Sequence, residues 1–151
     1  MKKLFLILPV FIMQFAFSQA TVKSLKIESG DKKEQAADLT KEKIASFDVK
    51  FSQFISALKS SDRKTMESLL SDKAKMVVTD NVYKKLSADI NFNKKLEIFK
   101  SGYKTLKDGS SYPMIQYKYS DDKSSVPKEI VTAVFENDGK ILGIKPIKDN
   151  K

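Results

Sequence analysis

One carboxylate, Asp48, stands four residues after Ile44 and three before Phe51, on the shoulder of an apolar stripe that also carries Phe47, Phe54, Ile55 and Leu58. Held away from water, a carboxylate in that position gains affinity for its proton and can act as a general base or as a hydrogen-bonding contact to a ligand. Phe51 and Phe54 would then wall the same pocket, and Tyr103, Tyr117 and Tyr119 would each add a ring and one hydroxyl. A structural role is the plainer expectation for all six. A base needs an oriented partner, and none is evident around Asp48, so a rim carboxylate, solvated or paired with a lysine, is expected there. Phenylalanines at intervals of four, three and four form the buried side of a helix, and a tyrosine on a sheet packs its ring and leaves its hydroxyl at the edge.

Much other chemistry is excluded. The chain has no histidine and no cysteine. Serine–histidine and cysteine–histidine nucleophiles are therefore absent, as are the imidazoles and thiolates from which zinc sites are built. The five glycines are dispersed, with no phosphate-cradling GxxxxGK, and no calcium loop of alternating acidic residues occurs. Ser56 with Lys59 and Ser61 with Lys64 have serine–lysine hydrolase spacing, but lysine is abundant and the supporting SDN and KTG motifs are missing. No catalytic residue, metal site or cofactor is expected.

The elements that would position Asp48 and the tyrosines follow from periodicity. Thr40 can cap a helix of about 19 residues carrying Glu42 in its first turn. Ser61 or Asp62 can cap a second, shorter one that buries Met66, Leu69 and Leu70. AKMVVT, residues 74–79, reads as a short strand, and Asp80 as the cap of a third helix with Val82, Leu86 and Ile90 at helical spacing. KKLEIFK is ambiguous between helix and strand. Beyond Gly102 the period becomes two: Ile115, Tyr117 and Tyr119 alternate with Met114, Gln116 and Lys118. EIVTAVFE and KILGIKPI form a hairpin around Asn137, Asp138 and Gly139. With Gly139 left-handed, Phe135 pairs with Ile141 and Ala133 with Gly143, placing Val131, Ala133, Phe135 and Ile141 on one face.

Residues 1–18 combine Lys2 and Lys3 with an apolar run from Leu4 to Met13, and small residues at Ala16 and Ser18. This pattern predicts a cleaved secretory signal, because the run is shorter than the roughly 20 residues of a membrane span. Residues 19–39 read as an N-terminal arm or linker, and 40–151 as a single domain. Without a cysteine to carry lipid, the product is expected to be periplasmic or extracellular, not a lipoprotein, with no transmembrane segment after cleavage. The formal net charge is +9, and with Lys2 and Lys3 removed 26 basic side chains face 19 acidic ones. Arg63 is the only arginine, so the bidentate fork that reads phosphate and guanine is nearly lacking, and no specific nucleic-acid partner is expected.

The order of elements, and in particular FSQFISALKSSDRKTMESLLSDKAKM with the closing VFENDGKILGI, resembles the nuclear transport factor two-like superfamily, over roughly residues 40–147. It is similar to the small exported bacterial domain of unknown function found alone or attached to some hydrolases. The resemblance implies a cystatin-like α+β cone, with a long N-terminal helix and two shorter helices packed on a bent antiparallel sheet. A small sheet-and-helix module of the secreted inhibitor-like kind is the rival fold. Because the superfamily includes isomerases and dehydratases with a cavity carboxylate, Asp48 gains a second significance. The functional expectation is an exported, non-catalytic binding or accessory module for a small apolar ligand or an envelope protein, homodimerising through the sheet face included. The alternatives are a cavity-carboxylate enzyme and a purely structural envelope protein. Intact-mass measurement of the exported chain should give a product beginning at Gln19; a full-length mass in the exported fraction would refute cleavage.

Overall fold

Thr40 begins the first helix as its type suggests: its hydroxyl accepts from the Lys43 N–H at 3.3 Å, and Glu42 lies in the first turn. The computed structural model describes residues 38–148, within the compact unit Gln35–Lys151. The signal segment and all but the last two residues of the 19–39 arm lie outside the described residues. Leu39, just before the cap, is buried in the core, and Ile44 packs against the same core. These are the two positions of a hydrophobic staple.

Helix α1, Lys41–Ser60, runs 20 residues, about 30 Å. Its end is closed by two backbone bonds, Asp62 N–H to Ala57 O at 2.8 Å and Ser61 N–H to Leu58 O at 3.3 Å, with Ser61 left-handed at φ 59°. Asp62 then caps α2, Arg63–Leu69, accepting from the Thr65 N–H at 3.1 Å.

Two expectations fail in the next stretch. AKMVVT is not a strand, because Asp72–Val77 forms a helix, α3, capped by the buried Ser71, whose hydroxyl accepts from Ala74 N–H at 3.1 Å. The only sheet-like pairing here is an isolated bridge from Leu70 to Ile141, with Ser71 N–H donating to Ile141 O at 2.9 Å. That bond orients Ser71 to start a turn of helix, and the cap overrides the strand preference of Met76 and Val77, which end up exposed. Nor does Asp80 cap the following helix. Helix α4 is Asp80–Asp89, Thr79 holds the cap position without a side-chain bond, and the Asp80 carboxylate is taken by Arg63.

Strands β1, Leu96–Thr105, β2, Ser111–Tyr119, β3, Glu129–Phe135, and β4, Ile141–Lys148, form an antiparallel sheet in sequence order. The ambiguous KKLEIFK is thus strand from Leu96. The β1–β2 and β3–β4 hairpins use one device twice: Gly109 and Gly139 both have φ 84°, and the carboxylates of Asp108 and Asp138 accept from the N–H groups of Ser110 and Lys140 at 2.9 and 2.8 Å. Phe135 pairs with Ile141 as expected. Ala133, however, faces Ile144, and Gly143 faces Val134, because a bulge between Val134 and Phe135 leaves Leu142 as an extra residue in β4.

The described residues are therefore α+β, with four helices where three were expected. Ile115, Tyr117, Val131, Ala133, Phe135 and Ile141 project from one sheet face into the core beside Phe47, Phe51 and Phe54. Phe51 stacks on Tyr117 with centroids 3.9 Å apart, and Phe47 on Phe135 at 4.9 Å. Burial of each phenylalanine contributes about 1.5–3 kcal/mol. No described helix is long and apolar enough to cross a membrane.

A side chain at Gly139 would meet Lys50 Nζ at 2.6 Å and Phe47 Cε1 at 3.0 Å, whereas one at Gly109 would meet nothing within 4 Å. Gly109→Ala should cost about 1–2 kcal/mol for the left-handed backbone alone. Gly139→Ala should cost more, because it also displaces Phe47. Urea unfolding of both variants measures the difference, and equal losses would remove Phe47 from the account.

Candidate functional site

Asp48 follows Phe47 on α1, so its carboxylate sits where the buried face of the helix turns outward, and it is half-buried. Tyr117, on the inner face of β2, lies flat against Phe51. Next to this stack the same shoulder of α1, with Ser52, Ile55, Ser56 and Lys59 beside Asp48, faces the connection from α4 into β1. Ile90, Asn91, Phe92, Lys94, Lys95 and Leu96 line that side, and the two leave a cleft of about 350 Å³. Its walls are mostly apolar; Asp48 and Tyr117 are its inner polar groups, and the exposed Lys59, Lys94 and Lys95 give it a cationic edge.

Hydrogen bonding holds the far wall. The Tyr119 hydroxyl accepts from Asn91 N–H at 2.8 Å, and Lys94 pairs with Asp121 at 2.7 Å while lying 5.7 Å from the Tyr119 ring centre. Its hydrogen bond to the Asp121 carboxylate raises the Lys94 pKa. Tyr117 is different: it is 1% exposed, and its hydroxyl is buried without a hydrogen-bond partner of ordinary geometry. Burial pushes its pKa well above the ordinary 10, and the nearby negative charge of Asp48 pushes it further. Asp48 makes no salt bridge among the described residues, so of the two alternatives expected for it, solvation or pairing with a lysine, the pairing is not formed.

Of the six residues picked out by sequence, Asp48, Phe51 and Tyr117 come together in the cleft wall. Phe54 is packed in the core, Tyr119 anchors Asn91, and Tyr103 is half-buried on β1 against the core; none of the three lines the cleft. Sequence reasoning missed Ile55 as a wall residue, and also Ile90, Phe92 and Leu96. Leu96 lies in the stretch whose period was ambiguous and Phe92 just before it, where only tertiary packing shows which side chains face α1.

A second cluster joins α2 to α4. Arg63 bonds Glu67 at 2.6 Å and also Asp80, and its guanidinium lies 4.3 Å from the Tyr83 ring centre. The two carboxylates raise the Arg63 pKa, and the group acts as an exposed staple between helices. No group of three or more His, Cys, Asp or Glu side chains among the described residues is placed to hold a metal ion. In comparisons with known proteins, no protein-family model, no curated protein and no solved structure matches this chain.

Because the folded pKa of Tyr117 lies above its unfolded value, its contribution to stability is complete below about pH 10. It is lost as pH rises from there toward the folded value, by up to about 1.4 kcal/mol per pH unit. Tyr117→Phe should remove that alkaline loss. Near neutral pH the variant should be as stable as the parent or more so, since a buried hydroxyl without a hydrogen bond of ordinary geometry disappears. Thermal midpoints between pH 8 and 11 check both statements, and a strong neutral-pH loss would mean the hydroxyl is bonded after all.

Proposed function

We propose that the protein is an exported, non-catalytic binding module that holds a small, largely apolar ligand in the cleft beside Asp48. The single observation behind this is that a buried Tyr117 hydroxyl, without a hydrogen bond of ordinary geometry, faces an unbridged Asp48 carboxylate at the inner end of an apolar cleft. A polar group left unmatched in a core costs stability, and such exceptions concentrate where a ligand or water completes the bonding. A ligand with an apolar body and one hydroxyl would lie against Ile55, Phe92 and Leu96 and donate to Asp48. The wider frame, a sheet-wrapped cone of the nuclear transport factor two-like kind in an exported bacterial protein, belongs to the same proposal.

A second reading has one observation in its favour. Asp48 and Tyr117 line the same cleft, and a carboxylate base beside a phenol acid would serve a cavity isomerase or dehydratase. The raised pKa of Tyr117 weakens it as an acid, so binding is favoured over turnover.

Titration with 1-naphthol, an apolar ring with one hydroxyl, should shift the resonances of Ile55, Phe92 and Leu96 in NMR spectra. Ile55→Trp should abolish those shifts by filling the cleft, and Asp48→Asn should weaken binding by about 1.5–3 kcal/mol through loss of a charged acceptor. Absent or scattered shifts would sink the cleft as a binding site. Should any turnover be found, a rate unchanged in Asp48→Asn would eliminate that residue as the base.

A further inference from the structure

Asp48, Ser52, Ser56 and Lys59, which line the cleft from α1, follow one another at intervals of four, four and three, so they form a single row along one side of the helix. The row has a carboxylate at one end and an ammonium group at the other, with about 16 Å of helix between them at 1.5 Å per residue. Its direction over the sheet follows from the two ring pairs. Phe47 lies on Phe135 and Phe51 on Tyr117, and Tyr117 pairs with Val131, which precedes Phe135 by four residues in β3. Helix α1 therefore advances in the direction of β2, and its last turns lie beyond Tyr117, toward Tyr119 and Ser120. Leu96 pairs with Tyr119 at that level, and the Lys95 carbonyl accepts from the Ser120 N–H at 2.9 Å. Lys59 and Lys95 thus share the end of the cleft opposite Asp48.

The positive charge at that end is not consumed by the fold. Lys94 is paired with Asp121, but Lys59 and Lys95 are exposed, and neither ammonium group makes a hydrogen bond or an ion pair among the described residues. Between the two charged ends the walls are apolar, built by Phe51, Ile55, Ile90, Phe92 and Leu96. An uncharged ligand would leave both ammonium groups unmatched. A compact polyanion would leave the apolar walls uncovered and would meet Asp48 with like charge.

We propose that the ligand of this cleft is an elongated amphiphile of the hydroxylated fatty-acid class. Its hydroxyl donates to Asp48, its chain lies along Ile55, Phe92 and Leu96, and its anionic head rests between Lys59 and Lys95. The inference rests on the reading of the cleft as a binding site and adds a polarity to it, a hydrogen-bond donor at one end of the ligand and an anion at the other. Unlike charges at the two ends of the cleft then select one orientation, because the reversed ligand would bring its anion to Asp48.

The probe is 12-hydroxydodecanoate, an extended chain that matches the span from Asp48 to Lys59, titrated below its micellar range with 1,12-dodecanediol as the uncharged comparison. Both should shift the Ile55, Phe92 and Leu96 resonances, and the hydroxy acid should bind about five- to tenfold more tightly, the factor expected of two exposed ion pairs. Lys59→Gln with Lys95→Gln should bring the acid down to the affinity of the diol. Lys41→Gln with Lys85→Gln removes the same charge from residues that do not line the cleft, and should keep the preference. Added salt should shrink it. Equal binding of acid and diol, or a preference that survives in the Lys59 and Lys95 variant, would overturn the polarity while leaving the cleft as a binding site. A preference lost equally in the Lys41 and Lys85 variant would trace it to the net charge of the chain and overturn it too. Failure of both probes to shift those resonances would overturn the cleft itself as a binding site, and this inference with it.

Discussion

Everything else in this molecule hangs on the contact between one helix and one sheet face. Phe47 and Phe51 lie flat on Phe135 and Tyr117, and those two ring pairs set both the distance and the rotation of α1 over β2 and β3. A chain with no cysteine has no covalent means of fixing that geometry. Large, stiff rings carry it instead, since each buries much area for few rotatable bonds. Once α1 is placed, Phe54, Ala57 and Leu58 must also point inward, and the helix shoulder bearing Asp48 and Ile55 must lie where the packed face ends.

The cleft is a consequence of that placement. Tyr117 is drawn under Phe51 by stacking, and its buried hydroxyl is carried toward Asp48 at the edge of the packed face. The connection from α4 to β1 supplies the opposite wall, but it is pinned by Tyr119 through Asn91 and by Lys94 through Asp121, which hold it at the rim. A rigid pair on one side and a tethered segment on the other leave space between them.

Small polar side chains organise the rest of the chain. Thr40, Asp62 and Ser71 start helices, and Asp108, Asp122 and Asp138 close turns, each by accepting backbone N–H groups that would otherwise be unmatched. In Asp122 the bonds from Ser124 and the Lys128 N–H, with Lys118 nearby, hold the pKa at about 2. Such closures act within a few residues of chain, which explains how a lysine-rich sequence of modest hydropathy specifies turns so definitely.

That locality also divides what the sequence determined from what tertiary structure decided. The α1 stripe, the Thr40 cap, a cap at Ser61 or Asp62, the alternation of Ile115, Tyr117 and Tyr119, and the pairing of Phe135 with Ile141 around Gly139 were all legible, because each depends on spacing within one element or one turn. The α3 helix, the diversion of Asp80 to Arg63 and the β4 bulge were not. The first depends on Ser71 meeting Ile141, seventy residues along the chain, and the second on two helices being brought side by side. Likewise the residue types of Asp48, Phe51 and Tyr117 marked them as site candidates, but only packing joined them to Ile55, Phe92 and Leu96 and separated them from Phe54, Tyr103 and Tyr119. Local hydrogen bonds and side-chain periods are written residue by residue, whereas an enclosed space exists only between elements and has no sequence period of its own.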